Sequence, residues 1–127
     1  MVNSSFLNDD ATIAAIATAA GMGGVGVIRI SGPDAFPIAQ QITHVQTIES
    51  HRATLSSFSS KDGQLLDRGL LLGFRAPKSF TGEDVVEFQL HGGPALLQTL
   101  LKEVLNLGAR MAMPGEFTYR AFVNNKL

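Results

Sequence analysis

The sequence predicts one α+β domain, a mixed β-sheet with helices packed on it. Three observations support this fold class: short apolar segments bounded by glycine and polar residues, a hairpin signal between two of them, and one long segment with helical apolar spacing. At 127 residues, 45% of them apolar and 17% charged, the chain is long enough to bury one core. The predicted order of elements is β-β-α-β-β-β-α-β-α. No apolar run reaches the length that a membrane-spanning helix needs.

The first two predicted strands flank a glycine-rich loop. Residues Thr12–Ala17 form a short apolar segment typical of a strand, although its alanines also permit a helix, and Val25–Ile30 is apolar and β-branched. The loop Gly21–Gly26 matches the dinucleotide pattern G-x-G-x-x-G, but that chemistry requires a helix after the loop, where this chain has a strand. We therefore expect a tight turn or a close backbone approach rather than nucleotide binding.

A helix and a hairpin follow. Ser31–Asp34 is predicted as a turn and helix cap, and Pro37 is compatible with the helix only in its first turn. The apolar face expected for this helix consists of Ala35, Phe36, Ile38, Ala39 and Ile42. After a polar connection, strands over 53–58 and 65–74 flank the pair Asp62-Gly63, which predicts an antiparallel hairpin because glycine adopts positive φ at low steric cost.

The last third of the chain contains the clearest helix. It is predicted to run from Pro94, a residue suited to the first helical position, to about Leu107, with Gly108 just past its end. Its apolar stripe is Leu96, Leu97, Leu100, Leu101, Val104 and Leu105. A short buried strand is expected over 109–113 and a last helix over 117–124.

The stretch Ser79–Pro94 combines a loop, an amphipathic strand and a helix start. Strand side chains alternate, so one face, predicted as core, carries Val86, Phe88 and Leu90, and the other carries Val85, Glu87, Gln89 and His91. Periodicity alone favours a solvated second face, whereas polar groups beside a Gly-Gly turn also suit a site for a small planar ligand. The neighbours Glu83 and Asp84 are expected to point apart on a strand, which argues against a paired acid and base.

Composition argues against several classes of function. A net charge of −1 without a basic run gives no electrostatic footprint for nucleic acid, so any RNA contact needs a local patch or another domain. The chain has no cysteine, hence no disulfide or thiolate site. His44, His51 and His91 lack metal-ligand spacing, and we interpret His91 as a hydrogen-bonded structural residue rather than a catalytic base. Residues 1–11 lack signal-peptide features and are predicted to be a flexible lead to a domain spanning 12–127.

Three segments carry a resemblance to a known family. They are Gly23–Gly32, Ser79–Pro94 with its Phe-Thr-Gly-Glu-Asp motif, and Pro114–Leu127 with its Pro-Gly-Glu-Phe motif. In order and separation they resemble the N-terminal domain of the tRNA modification GTPases called MnmE or TrmE, over nearly everything from Thr12 onward. In that family a helical domain and an inserted G domain with the phosphate loop follow. This sequence contains no G-x-x-x-x-G-K-[ST] loop, so we expect a truncated domain that does not hydrolyse GTP alone.

The resemblance implies a fold like the tetrahydrofolate-binding domain of aminomethyltransferases, a homodimer, and binding of 5-formyl-tetrahydrofolate or a related reduced folate. The family's folate contacts fall on Arg29, Glu87 and Lys126 of this chain. Glu87 suits the pterin because one carboxylate accepts its amine and ring N–H together, and either Arg29 or Lys126 suits the acidic tail. The family has a further contact from a lysine near the far C-terminus of the whole protein, which this chain lacks, so its affinity is expected to be reduced.

At full length, the resemblance implies a cytoplasmic enzyme that hydrolyses GTP with Mg²⁺ and K⁺. With the flavoprotein MnmG it modifies the wobble uridine of certain tRNAs, and the folate supplies a one-carbon unit. Two alternatives stay open for the domain itself: a dimerising scaffold without a ligand, and an autonomous one-carbon transferase, which the missing acid–base pair disfavours. Met22 departs from the family, where an arginine is common in the glycine loop, and so removes a cation near the expected site.

Overall fold

The structure is a computed structural model that describes residues 9–17 and 24–126. Within them, six strands form one mixed sheet: β1 (Ile13–Ile16), β2 (Gly26–Ser31), β3 (Ala53–Ser59), β4 (Leu65–Phe74), β5 (Val85–Leu90) and β6 (Arg110–Met111). Their order across the sheet is β3-β4-β5-β2-β1-β6, with every neighbouring pair antiparallel except β1 and β6. The helices are α1 (Ala35–Thr43), α2 (Pro94–Asn106) and α3 (Glu116–Val123). The predicted order of elements and the α+β fold class are confirmed.

Helices α1 and α2 lie on one face of the sheet and bury the core against it. All five residues predicted for the apolar face of α1 are buried, and Pro37 is in the first turn. The buried residues of α2 are Leu97, Leu100, Leu101 and Val104. The sheet contributes the three residues predicted from β5, Val86, Phe88 and Leu90, and the rings of Phe58 and Phe88 lie 4.9 Å apart. The predicted core is therefore confirmed, except that Leu96 and Leu105 of the α2 stripe are only partly buried.

Gly26 shows why glycine is required where the glycine-rich loop enters β2. A Cβ at this position would lie 2.4 Å from Cδ1 of Leu97, so α2 packs directly against the backbone of the strand. This confirms the expected close approach at Gly26, and a strand rather than a helix follows it. The part of the loop before Gly24, including Met22, falls in 18–23, outside the described residues.

The structure corrects several local predictions. Asp34 begins α1, but its side chain makes no capping hydrogen bond; its backbone N–H donates to Oγ1 of Thr12 instead. The strand expected over 109–113 pairs with β1 only over two residues. Glu83 and Asp84 lie in the loop before β5, not on a strand, although their side chains do bind different partners. None of the described helices is long and apolar enough to cross a membrane.

Candidate functional site

The face of the sheet opposite α1 and α2 carries an ion pair between two predicted site residues. Arg29 on β2 and Glu87 on β5 are cross-strand partners, so their side chains leave the sheet on the same side. Nε of Arg29 donates to Oε2 of Glu87 at 2.9 Å. The two side chains retain 26% and 18% of their exposure, so the pair is sheltered and still reachable from solvent. The structure thus brings Arg29 and Glu87 together.

Two aromatic rings flank the arginine of this pair. Cζ of Arg29 lies 5.4 Å from the ring centroid of Phe80 and 5.7 Å from that of Phe117, within the range of cation–π attraction. Phe80 belongs to the loop 79–84 and is 46% exposed, whereas Phe117 is on α3 and partly buried. The sequence analysis did not single out either ring. Together with the ion pair they form what we call the sheet-face site: Arg29, Glu87, Phe80 and Phe117.

Lys126 lies beside the same loop but does not touch the ion pair. A Cβ placed at Gly82 would meet Cβ of Asn124 at 2.7 Å and Cγ of Lys126 at 3.4 Å, so the segment after α3 packs against this glycine. Gly82 also has a φ of 83°, which favours glycine. The Lys126 side chain is exposed and makes no ion pair with the described residues. The structure therefore places Lys126 against the loop 79–84, which also carries Phe80.

The residues present fit a flat heterocycle with a donor edge. Among the described residues, Oε2 of Glu87 accepts one hydrogen bond, from Arg29, and Oε1 accepts none, so the carboxylate keeps acceptor capacity. The guanidinium of Arg29 uses Nε and leaves both Nη groups available within that part of the chain. The exposed ring of Phe80 offers an apolar surface next to them. Acceptor, donor and aromatic surface thus occur in one place, as recognition of a planar ligand requires.

Next to the sheet-face site lies a network of buried charges that sequence reasoning missed. Glu116 is 1% exposed and accepts two hydrogen bonds from Arg110, at 2.9 and 2.6 Å, and one from Arg120 at 3.2 Å. Arg120, 6% exposed, also binds both carboxylate oxygens of Glu83, at 3.1 and 3.2 Å. Arg110 in turn binds Oδ2 of Asp9. We call these five residues the charge network; it joins the loop 79–84, α3, β6 and the segment before β1.

The charge network shifts the pKa values of Glu116, Asp9 and Arg110 in the direction of the ionised forms. Burial raises the pKa of Glu116, but hydrogen bonds from Arg110 and the Met113 N–H outweigh it and hold the pKa below its usual value. The hydrogen bond from the Ala11 N–H, followed by that from Arg110, lowers the pKa of Asp9. The pKa of Arg110 is raised, mainly by its hydrogen bond to Glu116. Glu116, Asp9 and Arg110 are therefore charged at neutral pH.

The sequence held only one weak signal for this network. Glu116 and Arg120 are four positions apart, a spacing that pairs charges on one side of a helix, but the last helix was predicted from 117 and so excluded Glu116. The other partners are far apart in sequence: Arg110 and Asp9 are separated by 101 positions, and Arg120 and Glu83 by 37. Such contacts depend on the fold and leave no local pattern.

His91 is hydrogen-bonded at the end of β5. Its backbone N–H and that of Gly92 donate to Oδ2 of Asp67 at 2.9 and 3.0 Å, and its ring Nδ1 lies 3.1 Å from the carbonyl oxygen of Arg68. Burial raises the pKa of Asp67, but these backbone donors lower it below the usual value. Asp67 thus fixes the turn between β5 and α2. Across residues 9–17 and 24–126, no group of histidine and acidic side chains could hold a metal ion.

Comparison with known proteins adds the family. The family described as "GTP-binding protein TrmE N-terminus" matches residues 12–126. A tRNA modification GTPase MnmE of Neisseria gonorrhoeae (strain NCCP11945) is 60% identical over 116 residues, which is 91% of this chain and 26% of the relative. The proteins of the same name from Chromobacterium violaceum and Laribacter hongkongensis are 58% and 57% identical, over 92% and 91% of this chain and 26% of each relative.

The chain therefore spans about a quarter of the length of these curated relatives. The match covers β1 to α3, and with them the sheet-face site and the charge network from Glu83 onward. On this similarity, the chain belongs to the TrmE N-terminal family.

Proposed function

We propose that this chain is the reduced-folate-binding and homodimerising domain of a tRNA modification GTPase. In this proposal it holds 5-formyl-tetrahydrofolate or a related reduced folate, whose one-carbon unit serves the modification of the wobble uridine of certain tRNAs in the cytoplasm with the flavoprotein MnmG. GTP hydrolysis with Mg²⁺ and K⁺ belongs to segments outside this sequence. The family membership supports the tRNA modification context, and the sheet-face site supports the ligand.

The observation that carries the proposal is the Arg29–Glu87 pair. For an ion pair this sheltered, desolvation of the two charges offsets much of their attraction, so the pair is weak evidence of a contribution to stability. Folding therefore gives little reason to place two charges on a face whose other residues along the same row, Leu72 and Ala15, are apolar. A ligand gives a reason to place both charges there. Glu87 accepts hydrogen bonds from the amine and ring N–H of the pterin, and Arg29 holds the Glu87 carboxylate in the orientation that presents its free oxygen.

The geometry also supports a division of roles between the two cations, which the sequence left open. Arg29 is bonded to Glu87, so both residues meet the same end of a ligand. The pterin and the acidic tail are opposite ends of a folate, and Arg29 therefore belongs with the pterin. Lys126, against the loop 79–84 and without an ion pair to the described residues, is the cation proposed for the tail. The ligand, when bound, supplies the one-carbon unit; the chain supplies orientation and charge complementarity.

Isothermal titration calorimetry with 5-formyl-tetrahydrofolate tests this proposal. The wild-type chain should bind, Glu87→Ala should lose at least tenfold in affinity, and Lys126→Ala should lose less because it meets an exposed tail. Glu49→Ala is a matched control, since Glu49 forms an ion pair with Arg52 that is exposed and away from the site. Equal affinity of Glu87→Ala and wild type would reject the pterin contact.

A second candidate, the dimerising scaffold without a ligand, is favoured by one observation. Leu55 and Leu70 are cross-strand partners on the open face, exposed by 76% and 36%, and β3 is an edge strand with unpaired backbone groups. Sedimentation velocity at several concentrations should show a dimer that Leu55→Asp weakens. A wild-type dimer without affinity for 5-formyl-tetrahydrofolate would favour the scaffold, and a monomer that binds the folate would reject it.

A further inference from the structure

The attachment of α3 differs from that of the other two helices. Its buried residues are Glu116, Arg120 and Ala121, so two of the three are charged, whereas α1 and α2 are fixed mainly by apolar side chains. The remaining large apolar side chains at its end, Phe122 and Val123, are exposed by 66% and 56%. The position of α3 is therefore set by directed ionic contacts more than by apolar burial.

Those contacts join the two elements that carry the aromatic rings of the sheet-face site. Phe80 is on the loop 79–84 and Phe117 is on α3, and both rings lie against Arg29. Arg120, one helical turn from Phe117, binds Glu83, three residues after Phe80. The side-chain amide of Asn124 donates to the carbonyl oxygen of Thr81 at 2.8 Å and adds a second link between the same elements.

The loop is also fixed to the strand that carries Arg29. The hydroxyl of Ser31 lies 2.7 Å from Oε1 of Glu83 and 2.7 Å from Oγ1 of Thr81. Ser31 is on β2, two residues from Arg29, and is fully buried. One oxygen of Glu83 therefore meets both the arginine of α3 and the serine of β2. Glu83 is the point at which loop, helix and strand are held together.

We propose that Glu83 and Arg120 are positioning residues for the sheet-face site. Their ion pair sets the separation of the loop 79–84 and α3, and thereby holds Phe80 and Phe117 against Arg29, which in turn orients the carboxylate of Glu87. Only the expected effect of these residues on folate affinity rests on the proposed function. Their positioning of Arg29 is independent of any ligand.

The test uses nuclear magnetic resonance of the ligand-free chain. In the wild type, Nε–H of Arg29 should show Overhauser contacts to both rings and a ring-current shift. Glu83→Gln keeps the size of the side chain and its hydrogen bond to Ser31 but removes the charge. In this variant the contact between Arg29 and Phe80 should be lost, while the core contacts between Phe58 and Phe88 persist. Arg120→Lys keeps the charge but loses the second nitrogen, which lets the arginine bind Glu83 and Glu116 through separate atoms. Its effect on the Arg29 contacts should therefore be intermediate. Glu49→Gln, from the exposed pair with Arg52, is the control.

The Arg29 contacts and the affinity for 5-formyl-tetrahydrofolate, measured together, separate the possible results. Loss of the Arg29 contacts, with an affinity for 5-formyl-tetrahydrofolate reduced at least fivefold, supports the proposal. Loss of the contacts in a chain whose wild type does not bind the folate supports the positioning role and rejects the folate function. Unchanged Arg29 contacts in both Glu83→Gln and Arg120→Lys overturn the positioning role, whatever the affinity. If Glu83→Gln loses the core contacts as well, Arg120→Lys decides, and retention of the Arg29 contacts there overturns the proposal.

Discussion

Glu116 makes the sharpest test of the charge network because it is almost fully buried and forms ion pairs with both arginines. We predict that Glu116→Gln, which keeps the volume of the side chain, destabilises the chain by about 3 kcal/mol. Removing one partner of a buried ion pair costs roughly 3–5 kcal/mol since it leaves an uncompensated charge. The lower end applies here because Arg110 keeps Asp9 and Arg120 keeps Glu83.

Urea unfolding followed by circular dichroism at pH 7 measures this loss, which corresponds to a drop of about 10 °C in Tm for a domain of this size. The control is Glu49→Gln, whose partner Arg52 is 70% exposed while Glu49 itself is 60% exposed; it should change the free energy of unfolding by at most about 0.5 kcal/mol. If Glu116→Gln is as stable as the control, the buried network does not stabilise the fold and the reasoning is refuted.

The pH dependence of the same variant provides an independent check. The pKa of Glu116 lies below its ordinary value of 4.5 in the folded chain, so the folded state binds the proton more weakly than the unfolded state. The stabilisation is therefore fully present above pH 4.5 and is lost as the pH falls through the folded pKa. The difference between wild type and Glu116→Gln should shrink over that acidic range, and a difference that stays constant would contradict the assignment.

Two further predictions concern the turns that border the site. Gly82→Ala should cost about 1 kcal/mol more than Gly63→Ala in urea unfolding, because both glycines have positive φ but only Gly82 faces a close neighbour, Cβ of Asn124; equal costs would show that this contact is not tight. Asp67→Asn should lose about 1–2 kcal/mol at pH 7, since one amide oxygen replaces a carboxylate that accepts the N–H groups of His91 and Gly92. As the pKa of Asp67 is lowered from 3.8, that deficit should fade as the pH falls below this value; a deficit independent of pH would rule out the charge as its cause.

The elements that were predicted correctly are those whose signals are local. Helix α2 begins at Pro94 and is followed by Gly108 at a φ of 119°, and its stripe of leucines has helical spacing, so sequence alone defines it to within a residue. The hairpin of β3 and β4 likewise follows from Asp62-Gly63, with Gly63 at a φ of 85°. Strand β6 was predicted too long because its length depends on how far it pairs with β1, which no local pattern records.

The candidate site divides in the same way. The alternation along β5 placed Glu87 on the face away from the core, as observed, but Val85 on that face is also buried. Its cross-strand neighbour Ser31 contacts Thr81, so the loop 79–84 covers this end of the face. Arg29 and Glu87 were both named as site residues, but nothing in the sequence indicated that they pair with each other. That pairing follows only from the register of β2 against β5, a long-range property.

The motif Phe-Thr-Gly-Glu-Asp at 80–84 is better explained by the contacts it makes within the fold than by contacts in the sheet-face site. The side chain of Thr81 contacts β2, and Gly82 leaves room for the segment after α3. Glu83 forms an ion pair with α3, and Asp84 accepts hydrogen bonds from Arg75 and Ala76, just after β4. Of the five residues, only Phe80 reaches the ion pair. A related protein that retains this motif but lacks a carboxylate at position 87 is therefore expected to keep the fold and lose the acceptor proposed for the pterin. In this family, a carboxylate at position 87 and an arginine at position 29 therefore indicate the proposed folate ligand better than the Phe-Thr-Gly-Glu-Asp motif does.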